Sequence, residues 1–298
     1  MYWNRLNDHL KTLYGTKVYK LALSSGCSCP NRDGTLGSRG CSFCDGAGAF
    51  AEAGPIPEQI AAAKRRVAAK VGADAKYIAY FQSFTNTYGA VEDLEPLYLQ
   101  AIEPEEVVAL SIATRPDCLP EEMLDLLERL QRIKPVWVEL GLQTIHPETA
   151  AAIRRGYDLP VFERAVKELK GRGITVIVHQ ILGLPGETAE QMRQTAQYIG
   201  ASGADGVKFH LLHVVQGTDL AEAWKRGEVQ TMELEEYISV LEDCVRSIPR
   251  SMVIHRLTGD GAKKDLLAPL WSGDKKRVLN AVHAAFQRDN VEQGSLLK

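Results

Sequence analysis

The sequence predicts an α/β fold, in which six β-strands alternate with helices and form an open or closed βα barrel. Three observations lead to this class. Short apolar or alternating runs recur through residues 17–212, and a stretch with helical periodicity follows each of the first five. The connections are too long for hairpins, so the strands should be parallel with right-handed crossovers. The composition agrees, because 45% hydrophobic and 24% charged residues are ordinary for a globular chain of 298 residues.

The predicted strands differ in their burial pattern. The first alternates polar and apolar residues, as a half-buried strand does, and the third is a continuous apolar run, as a fully buried strand is. The six strands are predicted at residues 17–23, 76–82, 107–113, 136–142, 174–182 and 206–212. The helices that follow the first five strands are predicted at residues 57–71, 91–102, 120–132, 147–154, 160–172 and 187–199, with two of them after the fourth strand.

This alternation stops at the end of the sixth strand. A helix over residues 232–247, a strand over 252–255 and a helix over 275–288 are predicted to cap or close the barrel. We therefore divide the chain into a barrel over residues 1–215 and an extension over 216–298 that packs on it. No apolar run approaches the roughly 18 residues of a membrane span, and the amino terminus lacks a signal-peptide pattern. We expect a cytoplasmic protein without a membrane partner.

The charges are unevenly distributed along the chain. The formal net charge of −3 argues against a protein that coats nucleic acid by charge alone. Residues 92–128 carry eleven carboxylates against one arginine, whereas residues 1–44 and 255–289 are net basic. Such segments are either solvated faces or a basic docking surface for an anionic partner, and the pattern leaves both interpretations open.

Four of the six cysteines lie within eighteen positions, directly after the first predicted strand: Cys27, Cys29, Cys41 and Cys44. A disulfide framework is not expected in a long chain without a secretion signal, so the cluster indicates a metal site. Four thiolates would suit a structural zinc, whereas three would leave one iron of a 4Fe–4S cluster open to an external ligand. The loops after the strands carry the chemistry in a βα barrel. The spacing of the cysteines alone does not decide between a zinc site and a 4Fe–4S cluster.

Further motifs stand at or shortly after the carboxyl ends of the predicted strands. They are the runs at residues 80–88, 139–143, 154–157, 183–187 and 216–220. Together with Cys29-Pro-Asn-Arg-Asp-Gly and Cys41-Ser-Phe-Cys44, they resemble the radical S-adenosylmethionine superfamily over nearly the whole chain. Within that superfamily, the chain is similar to the bacterial group close to the radical domain of the elongator catalytic subunit. This resemblance implies a partial (β/α)6 TIM-like barrel with a C-terminal α/β extension.

The resemblance also implies the cofactors. Cys29, Cys41 and Cys44 would bind a 4Fe–4S cluster, and S-adenosylmethionine would chelate its open iron. Such enzymes split S-adenosylmethionine into methionine and a 5′-deoxyadenosyl radical, which takes a hydrogen atom from the substrate. Cys27 lies too early for the three-cysteine pattern and is expected to be a partly buried thiol. The two isolated cysteines are expected to fill the core.

Residues at the strand ends are expected to hold S-adenosylmethionine. Glycines after the last cluster cysteine fit the place where the family receives the methionine amino group. Polar residues after the second and fourth strands would contact the carboxylate, ribose or adenosine. An inward glutamate on the fourth strand is costly unless it is paired or ligand-bound. The candidate cofactor-binding residues are Gly46, Gly48, Gln82, Thr85, Asn86, Glu139 and Gln143.

Histidines and cations supply the candidate substrate contacts. Three histidines near one barrel mouth are either satisfied core residues or groups that touch substrate or donate a proton. The candidate catalytic residues are His179, His210 and His213. The candidate tRNA contacts are Arg155, Lys263, Lys264, Lys275, Lys276 and Arg277. Further candidates for anion contacts or base stacking are Arg154, Lys208, Arg256, Tyr88 and Tyr157.

The resemblance implies a radical enzyme that acts on the C5 side chain of a wobble uridine in tRNA. The elongator subunit has an additional acetyltransferase domain, for which 298 residues leave no room, so we expect a different outcome. Cleavage of a carboxymethylaminomethyl group to aminomethyl is one candidate. A flavodoxin- or ferredoxin-type protein would donate the electron. The alternatives are a radical enzyme that acts on a small metabolite or peptide, and a zinc-containing RNA-binding module without catalysis.

Overall fold

The computed structural model describes residues 2–46, 54–72, 74–259 and 264–297. The strands are β1 Val18–Leu23, β2 Lys76–Phe81, β3 Val107–Thr114, β4 Val136–Gln143, β5 Thr175–Leu182, β6 Gly206–Leu211, β7 Val214–Val215, β8 Val253–Arg256 and β9 Leu266–Ala268. The α-helices are α1 Leu6–Tyr14, α2 Ile56–Val67, α3 Val91–Ile102, α4 Glu121–Gln131, α5 Pro147–Ala152, α6 Leu159–Gly171, α7 Ala189–Ala201, α8 Asp219–Lys225, α9 Leu234–Arg246 and α10 Lys275–Arg288.

Seven parallel strands form one sheet, in the order β1-β2-β3-β4-β5-β6-β8, which curls into a half-barrel. A short antiparallel ribbon of β7 and β9 lies beside it. The predicted α/β half-barrel is confirmed. Each of the six predicted βα strands forms within a residue or two of its expected bounds, because alternating and continuous apolar runs are strong local signals.

Side chains of the strands divide between two environments. Outward residues such as Leu110, Val138 and Phe209 pack against the surrounding helices in one large apolar core. Inward residues such as Ile78 and Trp137 form an apolar layer at the amino-terminal end of the half-barrel, where Leu10 of α1 joins them. Helix α1 therefore covers the end of the barrel opposite the functional loops.

The carboxyl-terminal segment contributes a strand to the main sheet. The predicted strand at residues 252–255 forms as β8, and it pairs in parallel with β6 as the seventh strand. The chain just before α1 also reaches this edge, since the amide of Ile254 donates to the carbonyl of Asn4 at 2.8 Å. Four residues carry too little periodicity to predict such a non-local pairing. The division at residues 215 and 216 stays a prediction.

Three further elements were not predicted from the sequence. Helix α1 buries only Leu10, and α8 has seven residues, so neither has a long amphipathic pattern. The β7–β9 ribbon pairs segments about fifty residues apart. In the part of the chain that the structure describes, no helix combines the length and apolar character needed to cross a membrane.

Candidate active site at the carboxyl ends of the strands

The cysteine segment forms an irregular loop between β1 and α2. Cys29, Cys41 and Cys44 are half-buried free thiols on this loop. The amide of Asn31 braces it, donating to the Cys41 sulfur at 3.4 Å and to the carbonyl oxygen of Arg154 at 2.7 Å. The loop is thus fixed against the segment that follows α5.

Arg32 ties the two halves of the cysteine loop together. Its guanidinium donates to the carbonyl oxygen of Cys44 at 2.5 Å. Gly46 has a left-handed backbone, with φ of 72°, and a Cβ there would lie 2.7 Å from Arg32. The left-handed backbone favours glycine at the predicted methionine-binding position, and a Cβ there would displace the end of the Arg32 side chain. The companion candidate, Gly48, lies outside the described residues.

The three thiols share one neighbourhood and fit an iron–sulfur cluster as a donor set. Burial raises the pKa of Cys41, the amide of Asn31 lowers it, and the nearby Cys44 and Cys29 raise it further. Cys27 faces elsewhere: its sulfur lies 3.6 Å from where a Cβ on Gly89 would stand. Within the described ranges, no three His, Cys, Asp or Glu side chains are close enough to hold a single metal ion.

Three segments around the cysteine loop contain non-glycine residues with left-handed backbones. These are Phe84, Gln143 and Arg154, with φ of 61°, 64° and 56°. Such conformations cost about 1 kcal/mol or more and concentrate at functional sites. The amide of Gln143, oriented to suit its neighbours, folds back to donate to the carbonyls of Gly141 and Leu142 at 3.2 and 2.9 Å. The sequence carries no clear signal for this strain.

The polar run after β2 connects the cysteine loop to the sheet. Asn86 is fully buried, accepts from the Ser25 hydroxyl at 2.7 Å and donates to the carbonyl of Ala113 at 2.9 Å. The amide of Thr85 donates to the carbonyl of Ser28 at 3.2 Å. Gln82 is half-buried directly after β2. The Asn86 side chain therefore links the cysteine loop to the end of β3. A cofactor role for Gln82, Thr85 and Asn86 stays a prediction.

Arg155 lies inside the protein, although it was predicted to contact tRNA. It is 3% exposed, and its guanidinium donates to the carbonyl oxygens of Leu142, Thr144 and Tyr157 at 3.1, 2.6 and 3.0 Å. Burial lowers its pKa. Arg155 therefore holds the loop after β4 in place through these hydrogen bonds. Its neighbour Arg154 is more exposed and forms a 2.6 Å ion pair with Asp219.

Glu139 is the centre of a polar network in the barrel lumen. It is completely buried, and Lys20 and Ser111 donate to its Oε1 at 2.6 and 2.8 Å. Tyr80 donates to its Oε2 at 3.0 Å, and Lys208 bonds the same oxygen. The network joins six strands, because His179 also contacts Oε2, at 2.8 Å.

The charge of this carboxylate follows from its surroundings. Burial alone would raise the pKa of Glu139, but Lys20, Lys208 and His179 outweigh it and hold the pKa well below its ordinary value. The inward glutamate is thus paired within the protein, as its position in an apolar strand requires. Whether it also contacts the cofactor stays a prediction.

Two of the three candidate histidines lie side by side. The rings of His179 and His210 are 4.9 Å apart. Burial and the neighbouring Lys208 lower the pKa of His179 to about 4, so its imidazole is neutral at pH 7. His213 stands farther along the chain, against Gly259, where an added Cβ would lie 2.9 Å from its ring.

The candidate tRNA contacts near the carboxyl terminus are exposed. Lys264 is 86% exposed, with a distant partner in Asp265 at 3.8 Å. Residues 275–277 form the exposed first turn of α10, which Asp274 caps by accepting from the amide of Arg277 at 3.1 Å. This turn follows β9, and β9 pairs with the chain just after β6, so it lies toward the carboxyl ends of the strands. Lys263 lies outside the described residues.

A cavity of about 920 Å³ lies beside the cysteine loop. Pro30 and Leu36 of that loop, Tyr88 after β2, Cys118 after β3 and Arg164 of α6 are among its lining residues. Burial raises the pKa of Cys118 to about 12, so this thiol stays protonated. The residues come from four separate segments, which explains why the cavity was not predicted from the sequence.

A parallel half-barrel with three thiols on its first loop is the architecture of an enzyme that binds an iron–sulfur cluster at its mouth. The sequence model of the family described as Radical SAM superfamily matches residues 34–199. The one described as Radical_SAM C-terminal domain matches residues 204–288. The chain belongs to the radical S-adenosylmethionine superfamily.

Individual proteins resemble the chain over different lengths. It is 39% identical to YtqA of Bacillus subtilis (strain 168) over 300 residues, covering 99% of this chain and 93% of that protein. It is 32% identical to the tRNA uridine(34) acetyltransferase of Methanocaldococcus infernus over 174 residues, covering 55% of this chain and 32% of that protein. The structure of archaeal Methanocaldococcus infernus Elp3 matches with a TM-score of 0.71 and 20% identity, covering 93% of this chain and 64% of that one.

Membership in the family defines the general chemistry. The protein is an enzyme, its cofactors are a 4Fe–4S cluster and S-adenosylmethionine, and it needs an electron donor. The interpretation as a zinc-containing module without catalysis is therefore wrong. The donor set fits this outcome, because three half-buried thiols on one loop leave a position for an external ligand.

Proposed function

We propose that this enzyme modifies the C5 side chain of the wobble uridine of tRNA, converting a carboxymethylaminomethyl group to aminomethyl. The observation that carries the proposal is the 32% identity over 174 residues with a tRNA uridine(34) acetyltransferase. Shared architecture with archaeal Elp3 over 93% of the chain supports it at the level of the fold.

When bound, the cluster and S-adenosylmethionine supply a radical that removes a hydrogen atom from the substrate. For a carboxymethylaminomethyl group, the hydrogen atom would come from the carbon between the nitrogen and the carboxylate. Return of one electron from that carbon radical to the oxidised cluster would leave an imine, which water would hydrolyse to the aminomethyl group and glyoxylate. S-adenosylmethionine would then be the net oxidant and would leave as methionine and 5′-deoxyadenosine. The chain's own residues position the reactants. Cys29, Cys41 and Cys44 would hold the cluster, while Asn31 and Arg32 keep the loop in one conformation through their bonds to it.

The exposed cations of the carboxyl-terminal segment would dock the tRNA. Lys264 and residues 275–277 stand on the surface toward the strand ends. Cations in the first turn of a helix oppose its dipole, so an anionic partner accounts for residues 275–277 better than helix stability does. Phosphate neutralisation is local, which lets a chain of net charge −3 bind tRNA. A base in the anticodon loop is unpaired and enters a barrel at low cost.

Nucleoside mass spectrometry of tRNA tests the proposal. A strain that lacks the protein should accumulate carboxymethylaminomethyluridine and lose the aminomethyl products. Complementation with the parent or with Cys27→Ala should restore the profile, whereas Cys41→Ala should not. An unchanged profile in the deletion strain would contradict the proposal and would favour a small metabolite or peptide as substrate. A flavodoxin- or ferredoxin-type donor would support turnover in the purified system.

A further inference from the structure

Two lysines in the barrel lumen share a single carboxylate. Lys20 of β1 and Lys208 of β6 each bond a different oxygen of Glu139. Their side chains are only 21% and 5% exposed. Tyr80 and Ser111 donate to the same two oxygens, so the carboxylate has little capacity left to accept further bonds. With both lysines protonated, the trio carries an excess positive charge.

Arg256 at the end of β8 acts on the titratable groups of this space. Burial lowers the pKa of Lys208 well below its ordinary value, and Lys20 and Arg256 lower it further while Glu139 opposes them. Burial likewise lowers the pKa of His210, and Arg256 adds to that effect. Positive charge in a poorly hydrated lumen is costly unless an anion offsets it.

A buried hydrogen-bonding group faces the same space without a partner. Nε2 of His210 is inaccessible to solvent and makes no hydrogen bond within the described structure. Its ring stands beside His179, which already contacts Glu139. An unsatisfied buried nitrogen is uncommon in a folded protein and indicates a missing partner. A neutral imidazole can donate to an acceptor oxygen.

We propose that Lys20, Lys208 and His210 form a binding site for a carboxylate carried by the substrate. This inference rests on the proposed function and deepens it, because the carboxymethylaminomethyl group ends in a carboxylate. A carboxylate brings one negative charge and acceptor oxygens. Its charge would favour the protonated form of both lysines, and an oxygen would accept from the unpartnered nitrogen of His210. The site would distinguish the substrate side chain from the aminomethyl product, which is cationic and lacks the carboxylate.

The depth of the site favours a side-chain carboxylate over a backbone phosphate. Lys20 lies three residues before the end of β1, roughly 10 Å below the strand ends at about 3.3 Å per residue. The side chain on C5 extends about 6 Å, given bond lengths near 1.5 Å. A base held at the strand ends therefore brings its carboxylate within reach of a lysine side chain. A phosphodiester of the RNA backbone stays outside the barrel.

The test compares two anticodon stem-loops that differ in one group. Both carry the wobble side chain, one with the carboxylate and one with the neutral carboxamide of the same shape. The cluster-loaded protein with S-adenosylmethionine should bind the carboxylate form about tenfold or more tightly. Lys20→Met should reduce this ratio to about one, and Lys20→Arg should retain most of it. Lys17→Met, at the exposed position just before β1, should leave the ratio unchanged.

A second arm tests the site without RNA. N-methylglycine reproduces the end of the side chain, and its amide, which lacks the carboxylate, is the control. N-methylglycine should raise the melting temperature of the parent and of Lys17→Met but not of Lys20→Met. If it does so while neither stem-loop binds, the carboxylate site stands and the proposed tRNA function fails.

Two results would overturn the inference. Equal binding of the carboxylate and carboxamide stem-loops by the parent would show that the lumen does not recognise the carboxylate, even where the tRNA function holds. Loss of S-adenosylmethionine binding in Lys20→Met, with the stem-loop ratio preserved, would assign the cations to the methionine carboxylate of the cofactor. Cluster absorption and circular dichroism of each variant establish that it is folded and loaded.

Discussion

Replacement of Glu139 by glutamine tests how far the lumen network stabilises the barrel. Glutamine keeps the shape of the side chain but removes the negative charge that Lys20 and Lys208 share. The two ammonium groups then face each other without a counter-charge. Ser111 retains an acceptor, so the loss is mainly electrostatic.

The size of the effect follows from burial. Removal of one member of a buried ion pair costs about 3 to 5 kcal/mol. Lys20 is 21% exposed and is partly hydrated, so we expect the lower end, about 3 kcal/mol. The unfolding entropy of 298 residues is about 0.6 kcal/mol/K, which converts this loss to a decrease of about 5 °C in melting temperature.

The pH dependence has a defined sign. The folded-state pKa of Glu139 lies below its unfolded value, so its contribution is present at pH 7 and is lost only as the pH falls through the folded pKa. The difference in melting temperature between the parent and Glu139→Gln should therefore have its full size at pH 7 and become smaller in strong acid. Anaerobic thermal melts measure it, with the exposed Glu105→Gln as control. A change as small as that of the control would refute the proposed role of the carboxylate.

Three further predictions concern the histidine, the cysteines and the basic turn. The pKa of His179 is lowered to about 4, so this residue should account for about 3 kcal/mol of the stability that the parent loses as the pH falls from 6.5 to 4. Urea unfolding should show that His179→Gln reduces the loss by this amount, while His210 and His255, whose pKa values burial also lowers, retain their share. An unaltered slope would mean that only other groups titrate. Replacement of any cluster cysteine by alanine should abolish the absorption near 400 nm, whereas Cys27→Ala should keep it. If Cys27→Ala loses the absorption and Cys29→Ala keeps it, Cys27 is a cluster ligand and Cys29 is not. Reversal of residues 275–277 to glutamate should weaken tRNA binding and flatten its salt dependence by about two units of slope. Binding with an unchanged slope would place the tRNA elsewhere.

The strands and the cysteine loop are predictable from the sequence because their signals are local. Apolar periodicity marks β1 to β6, and three cysteines after β1 mark the mouth of the barrel. The need of Glu139 for a partner also follows from its place in an apolar strand. The identity of its partners cannot be predicted in this way, because Lys20 and Lys208 lie 119 and 69 residues away along the chain. Only the curling of the sheet into a half-barrel brings them together.

Adjacent residues of the same type show the limit of sequence reasoning. Arg154 and Arg155 look equivalent in the sequence, yet one pairs with Asp219 at the surface and the other bonds three buried carbonyls. The left-handed backbone of Arg154 turns the chain between them. The pairing of β8 with β6 is similar, since a four-residue strand finds its neighbour through long-range packing.

Transfer of deuterium tests the central claim most directly. The cluster-loaded, reduced protein is given S-adenosylmethionine and tRNA whose wobble carboxymethylaminomethyl group carries deuterium on the carbon between nitrogen and carboxylate. We predict 5′-deoxyadenosine that contains one deuterium, formed together with aminomethyluridine. Unlabelled 5′-deoxyadenosine with an unchanged side chain, from protein that contains a full cluster, would contradict the account.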